Sequence, residues 1–330
     1  MLAVVLAAGR GTRLRHLTED RSKATLPIAG KPMVERVLEM LSRGGVERFI
    51  VVAHPGDGLL VEHLSRPPWA GRVRLAYQEQ RLGMAHAVEC AAPLVREEDA
   101  PAFVLASCDN LYPEGHVAAL IARQHEDELD AALTLLWVRP EQASATAVVV
   151  LQDGWVTDII EKPRPEEIPS DSERAEALAA PALYVLSNRV LDYLPRVRYS
   201  PRGEREFPEA LRLLIEDGGR ASGLLVQERM TLTQPTDLLA LNAHFLRRDP
   251  ACAVVEADLP GNVRILPPVR IEAGVELGAG CRIGPEVYLE TGCRIGTETV
   301  LRRAVVLRGA TVKAGVVIER IICSSLPDTF

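Results

Sequence analysis

After Pro260 the chain repeats with a period of six residues. A valine or cysteine recurs at every sixth position, and an isoleucine or leucine follows each one by two residues. The first series is Val263, Val269, Val275, Cys281, Val287 and Cys293, and the second is Ile265, Ile271, Leu277, Ile283, Leu289 and Ile295. Hexapeptides of this kind are typical of a β-helix, in which three short strands complete each coil and the aliphatic side chains stack inside. We therefore predict a short left-handed parallel β-helix over residues 251–330.

The register of the repeat slips by one residue near Arg302. The first series then resumes with Ala304, Ala310, Val316 and Ile322, and the second with Val306, Val312 and Ile318. We interpret all of these residues, Cys281 and Cys293 included, as interior packing residues without a chemical role.

Residues 1–250 show a different pattern, in which short β-rich apolar runs alternate with amphipathic segments of helix length. This alternation predicts an α/β domain with a Rossmann-like mixed or parallel sheet. The predicted strands are residues 3–6, 48–52, 73–77, 102–106 and 131–138, with a hairpin over 147–151 and 155–160, and the predicted helices are 33–42, 84–92 and 114–125. A polar segment over residues 162–176 is predicted to be a surface loop.

Composition limits the partners of a chain of 330 residues. A formal net charge of −7 argues against nucleic-acid binding, because neutralising a phosphate backbone requires a basic face. No run of about 18 apolar residues indicates a membrane span, and the apolar start is interpreted as a buried strand, so we expect a cytoplasmic protein. The six cysteines form no C-x-x-C pair, which favours buried reduced thiols over a zinc site.

The first predicted strand leads directly into a glycine-rich turn, Leu6-Ala7-Ala8-Gly9-Arg10-Gly11-Thr12-Arg13-Leu14. Glycines let the backbone approach an anion closely, and arginine adds a forked cation that suits phosphate. Seven basic and three acidic residues lie between Arg10 and Arg36, which is a local cationic cluster on an acidic chain. The turn lacks the third glycine of a dinucleotide motif and the Gly-Lys-Ser/Thr of a P-loop. It predicts a phosphate cradle of another kind.

Six further motifs, in this order, make the chain resemble the sugar-1-phosphate nucleotidyltransferase (nucleotide-sugar pyrophosphorylase) family over essentially its whole length. They are Gly9-Arg10-Gly11-Thr12-Arg13-Leu14, Ser22-Lys23 with Leu26-Pro27-Ile28-Ala29-Gly30-Lys31-Pro32, Gln78 with Leu82-Gly83, Asp109-Asn110, Glu161-Lys162-Pro163, and Pro235-Thr236-Asp237-Leu238-Leu239. The resemblance implies transfer of a nucleotidyl group from a nucleoside triphosphate to a sugar 1-phosphate, with release of pyrophosphate.

The resemblance also implies roles for individual residues. The nucleotide would be bound by Leu6, Ala7, Ala8, Gly9, Gly11, Thr12, Arg13, Lys23, Gln78, Gly83 and Met84, with Gln78 reading a pyrimidine edge. Ala147, Glu161 and Lys162 would face the sugar and its phosphate, and Asp109 would bind Mg²⁺. Arg13, Lys23 and Lys162 would be the catalytic cations, because joining two polyanions requires charge neutralisation and in-line alignment but no protein nucleophile.

Three positions depart from the pattern of that family. Thr231 stands where a second metal-binding aspartate is usual, Ala147 replaces a glycine, and Ala180 replaces an asparagine that faces the sugar. A threonine hydroxyl is a poor ligand for a hard cation compared with a carboxylate, so either the metal binds more weakly or a neighbour such as Glu228 takes part.

These departures leave alternatives open. Gln78 and Asp109-Asn110 favour UTP or dTTP with glucose 1-phosphate, while mannose 1-phosphate with GTP is the alternative pair. A catalytically silent subunit, similar to those of the translation-initiation exchange complex, is the non-enzymatic alternative. A bifunctional acetyltransferase is disfavoured because the predicted β-helix contains no histidine to act as a base. A homo-oligomer formed through the β-helix is a further expectation.

Overall fold

The computed structural model describes residues 1–168 and 176–324, so most of the loop predicted over 162–176 lies outside the described residues. The helices are α1 (Met33–Arg43), α2 (Gly58–Leu64), α3 (Met84–Glu97), α4 (His116–Glu126), α5 (Pro140–Ala143), α6 (Phe207–Glu216) and α7 (Pro235–Arg248). No helix within the described ranges is both long and apolar enough to cross a membrane.

The first fourteen strands precede the repeat region. They are β1 (Leu2–Leu6), β2 (Pro27–Ile28), β3 (Lys31–Pro32), β4 (Arg48–Ala53), β5 (Val73–Tyr77), β6 (Ala102–Ser107), β7 (Asn110–Leu111), β8 (Ala131–Val138), β9 (Ala147–Gln152), β10 (Trp155–Glu161), β11 (Ala177–Ala179), β12 (Leu183–Ser187), β13 (Ala221–Leu225) and β14 (Met230–Thr231). The predicted strands and helices are all confirmed, with ends that differ by a few residues. The turn of the predicted hairpin is also confirmed, since Asp153 and Gly154 both have positive φ, as a type I′ turn requires.

The last nine strands are the short segments of the hexapeptide region. They are β15 (Arg264–Ile265), β16 (Val269–Ile271), β17 (Glu276–Leu277), β18 (Arg282–Ile283), β19 (Val287–Leu289), β20 (Arg294–Ile295), β21 (Val300–Val306), β22 (Thr311–Val312) and β23 (Val316–Ile322).

Contacts within the chain define two compact units. The first comprises Met1–Gly9 and Val37–Arg229, and the second comprises Arg10–Arg36 and the chain from Met230 onward. This grouping differs from the sequence-based division at residue 250. Its physical cause is that α7 packs against β2 and against the strands β19, β21 and β23, which places both α7 and the 10–36 segment with the repeat region.

The first unit is built on a ten-stranded mixed sheet in the order β11-β9-β10-β13-β8-β12-β6-β1-β4-β5. β1 lies between β6 and β4 and is parallel to both, and β5 extends the parallel part beyond β4. Aliphatic residues of α3 and α6 pack with the sheet in one apolar core. The predicted mixed α/β fold is confirmed.

The second unit contains a parallel β-helix. Arg264 pairs with Arg282, Val269 with Val287 and Glu276 with Arg294, so one coil holds three hexapeptides and the coil has three faces. The predicted aliphatic residues and both cysteines, Cys281 and Cys293, fill its interior. The left-handed sense stays a prediction from the hexapeptide spacing.

The predicted slip in register near Arg302 is confirmed, because Val287 pairs with Ala304, one residue short of a full coil. The inward orientation predicted for Val316 and Ile318 is wrong, since they are 67% and 49% exposed. Val300 pairs with Val316, which shows that the last coil has lost one more residue. The inward position of that coil therefore moves, and Val317 packs against the core instead.

Candidate functional site

The glycine-rich turn begins in the first unit, where β1 ends. The Ala7 amide donates to the Val52 carbonyl oxygen at 2.8 Å, and the Ala7 and Ala8 side chains are buried. Gly9 is exposed, and a Cβ built on it would meet no atom within 4 Å. Arg81 Nε donates to the Ala8 carbonyl oxygen at 2.6 Å. The turn thus has an open face and a cation on its backbone, and the sequence analysis did not single out this cation.

Three predicted site residues follow neighbouring parallel strands at one edge of the sheet. The turn that begins at Ala7 follows β1, Gln78 follows β5, and Asp109 lies two residues beyond β6. The Cys108 amide donates to the Leu6 carbonyl oxygen at 3.1 Å, which holds the ends of β1 and β6 level. The carboxyl edge of a parallel sheet is where ligands bind in open α/β folds. The arrangement therefore supports a ligand site formed by these three segments.

Gln78 is buried, and both hydrogens of its amide group have acceptors within the protein. Nε2 lies 3.0 Å from the Gly83 carbonyl oxygen and 3.1 Å from His86 Nδ1. The Gly83 carbonyl fixes the orientation of the amide, because Oε1 in that place would set two acceptors against each other. The side chain therefore offers a ligand one acceptor, Oε1, and no donor.

Gly83 has a structural reason to be glycine. Its φ is +102°, and a Cβ would lie 2.5 Å from the Arg205 carbonyl oxygen. The Arg205 amide donates to Leu82, and the Ala85 amide donates to the Arg205 carbonyl oxygen. The close approach of this segment requires the glycine, while the contact of Gly83 with a base stays a prediction. Met84 follows Gly83 as the first residue of α3 and is half-buried.

Asp109 belongs to a hydrogen-bonded group that contains a cation. Asn110 Nδ2 donates to Asp109 Oδ1 at 3.1 Å and to Ser107 Oγ at 2.7 Å, and Arg229 Nη1 donates to Asn110 Oδ1. Burial raises the pKa of the neighbouring Tyr112 phenol, and Arg229 acts against that rise. The sequence analysis missed Arg229, although a basic residue two positions before Thr231 was the available signal.

The carboxylate of Asp109 is the protein group here that suits a divalent cation. Within residues 1–168 and 176–324, no three His, Cys, Asp or Glu side chains gather closely enough to form a metal cage. Mg²⁺ is commonly held by one or two carboxylates together with substrate phosphates and water, so a single aspartate fits that mode. Glu228 is exposed, and the Thr231 hydroxyl lies 2.8 Å from the Thr233 hydroxyl.

Glu161 and Lys162 lie at the end of β10. Lys162 Nζ is 3.2 Å from Glu161 Oε1, and the Lys162 amide donates to the Thr146 carbonyl oxygen at 3.0 Å. Burial raises the pKa of the Glu161 carboxyl, while Lys162 acts in the opposite direction. Ala147 pairs with Glu161 across the two strands and is buried. The predicted residues for the sugar are thus brought together.

Two charged residues near Glu161 were not predicted. Glu206 is 8% exposed and raises the pKa of Glu161 further, and Arg202 lowers it. Arg202 Nη2 donates to Glu206 Oε1 at 2.7 Å. No motif marks these residues in the sequence, because they come close to Glu161 only through the fold.

The other predicted phosphate ligands lie in the second unit. Gly11 has a φ of +65° and precedes a 3-10 helix over Thr12–Thr18. A Cβ on Gly11 would lie 3.2 Å from the Lys23 Cβ, so the glycine lets the two strands of this segment approach each other. Thr12 and Arg13 are exposed, and Lys23 is half-buried. The segment thus presents Arg13 to solvent near a turn that packs on Lys23.

Residues 2–242 match the model of the nucleotidyl transferase family, and residues 265–326 match the model described as GMPPB C-terminal domain. The UTP–glucose-1-phosphate uridylyltransferase AglF of Haloferax volcanii is 33% identical over 239 residues, which cover 72% of this chain and 93% of AglF. The bifunctional protein GlmU of Methanococcus maripaludis is 30% identical over 83% of this chain, and the match spans 61% of GlmU.

A crystal structure of UDP-glucose pyrophosphorylase complexed with UDP-glucose has a similar fold. The TM-score is 0.64 at 18% sequence identity, and the match covers 75% of this chain and 98% of that one. At this identity the likeness concerns the fold alone.

Proposed function

The chain belongs to the nucleotidyl transferase family, and from this we propose that it joins a nucleoside triphosphate to a sugar 1-phosphate, forming an NDP-sugar and pyrophosphate. The observation that carries the proposal is the placement of the glycine-rich turn, Gln78 and Asp109 at the carboxyl edge of the parallel strands. The identity with AglF over most of that protein supports the same reaction class.

The chemistry requires no nucleophile from the protein. An oxygen of the sugar phosphate attacks the α-phosphorus, and the bond from that phosphorus to the pyrophosphate oxygen breaks in line. Gly9 and Gly11 leave room for the triphosphate, Arg13 and Lys23 offset its charge, and Lys162 holds the phosphate of the sugar. Glu161 accepts hydrogen bonds from sugar hydroxyls, and the small Ala147 side chain leaves space beside it.

Asp109 would hold a divalent cation, which we propose to be Mg²⁺. When bound, the ion supplies positive charge to the phosphate oxygens. Because Thr231 offers no carboxylate, the substrate phosphates and water would complete the coordination. Arg229 adds a fixed positive charge close to Asp109 through Asn110.

Gln78 Oε1 narrows the choice of nucleobase. An acceptor suits the N3–H of uracil and thymine and the N1–H of guanine, whereas adenine and cytosine present an unprotonated ring nitrogen at the corresponding edge. We propose UTP or dTTP with glucose 1-phosphate as the substrate pair. GTP with mannose 1-phosphate is the second candidate, because the same acceptor also suits guanine.

A cytoplasmic location and association of copies through the β-helix are parts of the same proposal. Support for association comes from the last described coil, where Val316 and Ile318 are exposed.

The test measures pyrophosphate release from the purified full chain with UTP, dTTP, GTP, ATP and CTP, each paired with glucose, mannose and N-acetylglucosamine 1-phosphates. We expect the highest kcat/KM with UTP or dTTP and glucose 1-phosphate. A preference for GTP with mannose 1-phosphate selects the second candidate. Absence of release with every pair, from a folded protein that carries Mg²⁺ in the assay, would favour the silent subunit.

A further inference from the structure

The segment that carries Arg13 and Lys23 ends in a tight hairpin held by α7. Ala29 and Gly30 join β2 to β3 with φ values of +47° and +84°. Asn242 of α7 is 1% exposed, and its Oδ1 accepts from the Ala29 amide at 2.7 Å while its Nδ2 donates to the Pro27 carbonyl oxygen at 3.2 Å. One buried amide group thus binds both sides of the hairpin.

Arg36 fixes the same hairpin from its other end. Its Nη2 donates to the carbonyl oxygens of Ile28 at 2.8 Å and Ala29 at 3.2 Å, and it lies 3.2 Å from Cys252 Sγ. The guanidinium also stacks over Phe245 of α7, with 4.1 Å from its carbon to the ring centroid. The hairpin is therefore held both to α7 and to the chain that leads into the β-helix.

The β-helix itself approaches Gly30. The Arg270 side chain of β16 runs so close to this glycine that a Cβ there would lie 2.0 Å from Arg270 Nε. The 29–30 turn therefore needs glycine for its φ and also for its contact with the first coil.

The contact closest to the phosphate ligands is a buried ion pair two residues before Lys23. Arg21 Nη1 donates to Glu290 Oε1 at 2.7 Å, and the two residues are 7% and 8% exposed. The other oxygen of Glu290 accepts from the Arg308 amide at 2.7 Å, so the carboxylate is held by two coils. Burial alone would lower the pKa of Arg21, but Glu290 raises it above its ordinary value.

We propose that the β-helix is a positioning element for nucleotidyl transfer, and that Arg21 and Glu290 are positioning residues for the phosphate-binding cations. The inference rests on the proposed function. Arg13 and Lys23 lie on one short segment, and the described hydrogen bonds of its buried side chains run to α7 and to the β-helix. The geometry of these cations is thus set by the C-terminal part of the chain.

The proposal has a consequence for the architecture of the enzyme. If the sheet domain alone arranged the phosphate ligands, the β-helix would be dispensable for chemistry. Since Glu290 lies in the middle of the β-helix and reaches within two residues of Lys23, disturbing it should change the binding of the triphosphate. Binding of the sugar phosphate by Glu161 and Lys162 should change little, because both lie in the first unit.

The experiment compares Glu290→Gln with Glu276→Gln in the full chain. The control removes a carboxylate from the same β-helix, where Glu276 pairs with Arg294 at 3.0 Å and both side chains are at least 66% exposed. We expect Glu290→Gln to lower kcat/KM for the nucleoside triphosphate about tenfold or more and to leave KM for the sugar phosphate within about twofold. Glu290→Asp should recover part of the loss. Kinetics of Glu290→Gln equal to those of the control would overturn the proposal.

A second measurement does not depend on catalysis. Arg13 and Arg15 are exposed, so trypsin can cut after them when the segment opens, giving fragments that begin at Leu14 or His16. We expect these fragments to appear several-fold faster in Glu290→Gln than in Glu276→Gln, with thermal unfolding recorded for each. If the wild type releases no pyrophosphate, the proposed function fails and the proteolysis still tests the positioning. If Glu290→Gln does not fold, Arg21→Lys replaces it, and unchanged cleavage in that variant contradicts the inference.

Discussion

The Gln78 amide nitrogen lies 3.0 Å from the Gly83 carbonyl oxygen, and this contact fixes which atom of the amide is left for a ligand. Because only Oε1 remains, removing the side chain should weaken bases with a ring N–H more than bases without one. We expect Gln78→Ala to reduce the preference for UTP or dTTP over ATP and CTP roughly tenfold or more, in line with about 1 to 3 kcal/mol for a lost buried hydrogen bond.

The measurement is kcat/KM for each triphosphate with one fixed sugar phosphate. Gln80→Ala is the matched control, since Gln80 is exposed on the same loop. Unchanged selectivity in Gln78→Ala would remove this residue from base recognition, and a wild type that prefers GTP would move the assignment to guanylyl transfer.

The parts of the fold that depend on local periodicity were predicted from the sequence. Residues at every sixth position point inward in each regular coil, so the β-helix is visible without any knowledge of contacts. Val316 and Ile318 were misplaced because a coil that is one residue shorter shifts its inward positions, and only the pairing of Val300 with Val316 reveals this. A period alone carries no information about which strand lies beside it.

The site was predicted where the residues are consecutive and missed where they meet through the fold. The turn after β1 and the Glu161-Lys162 pair are local motifs. Arg229 donates to Asn110 across 119 positions of sequence, and Asn242 binds Ala29 across 213. The grouping of residues 10–36 with the C-terminal part depends on such contacts, so no window of sequence contains it.

Arg13→Ala and Lys23→Ala are each expected to lower kcat about 100-fold, because each removes a cation that offsets charge developing on the phosphates. Thermal unfolding should change little for Arg13, which is exposed. Lys31→Ala is the control, since Lys31 belongs to the same segment and pairs with Glu35 at 3.5 Å. Steady-state release of pyrophosphate checks the result, and near-wild-type turnover in both variants contradicts the assigned role.

Arg229→Gln is expected to tighten the binding of a divalent cation while lowering turnover. The guanidinium lies one side chain away from Asp109, so its charge repels a metal bound there. Removing a nearby unit charge changes the electrostatic energy by on the order of 1 to 2 kcal/mol at an effective dielectric constant near 20, which corresponds to about tenfold in the dissociation constant. Titration with Mn²⁺ followed by electron paramagnetic resonance measures the binding without turnover.

Asp109→Asn serves as the reference for that titration, because it removes the proposed ligand. We expect it to weaken Mn²⁺ binding in the presence of nucleotide. Equal Mn²⁺ affinity in Arg229→Gln and the wild type would show that the arginine does not act on the metal position.

Glu161 should make the stability of the protein depend on pH. Burial raises the pKa of its carboxyl in the folded state, and the unfolded chain has the ordinary value near 4.5. Between these two pKa values the folded state holds a proton that the unfolded state has released, so the free energy of unfolding falls as the pH rises. The stabilisation is complete below the ordinary pKa and is lost as the pH passes through the raised one.

Glu161→Gln removes this titration while keeping the shape of the side chain. We expect the difference in unfolding free energy between the wild type and Glu161→Gln to move against the wild type as the pH rises through that window, because only the wild type must ionise a buried carboxyl. Denaturant unfolding at several pH values gives the difference, and Glu114→Gln, which changes an exposed glutamate, is the control. A difference that stays constant with pH would mean that Lys162, 3.2 Å away, offsets the burial of Glu161 completely.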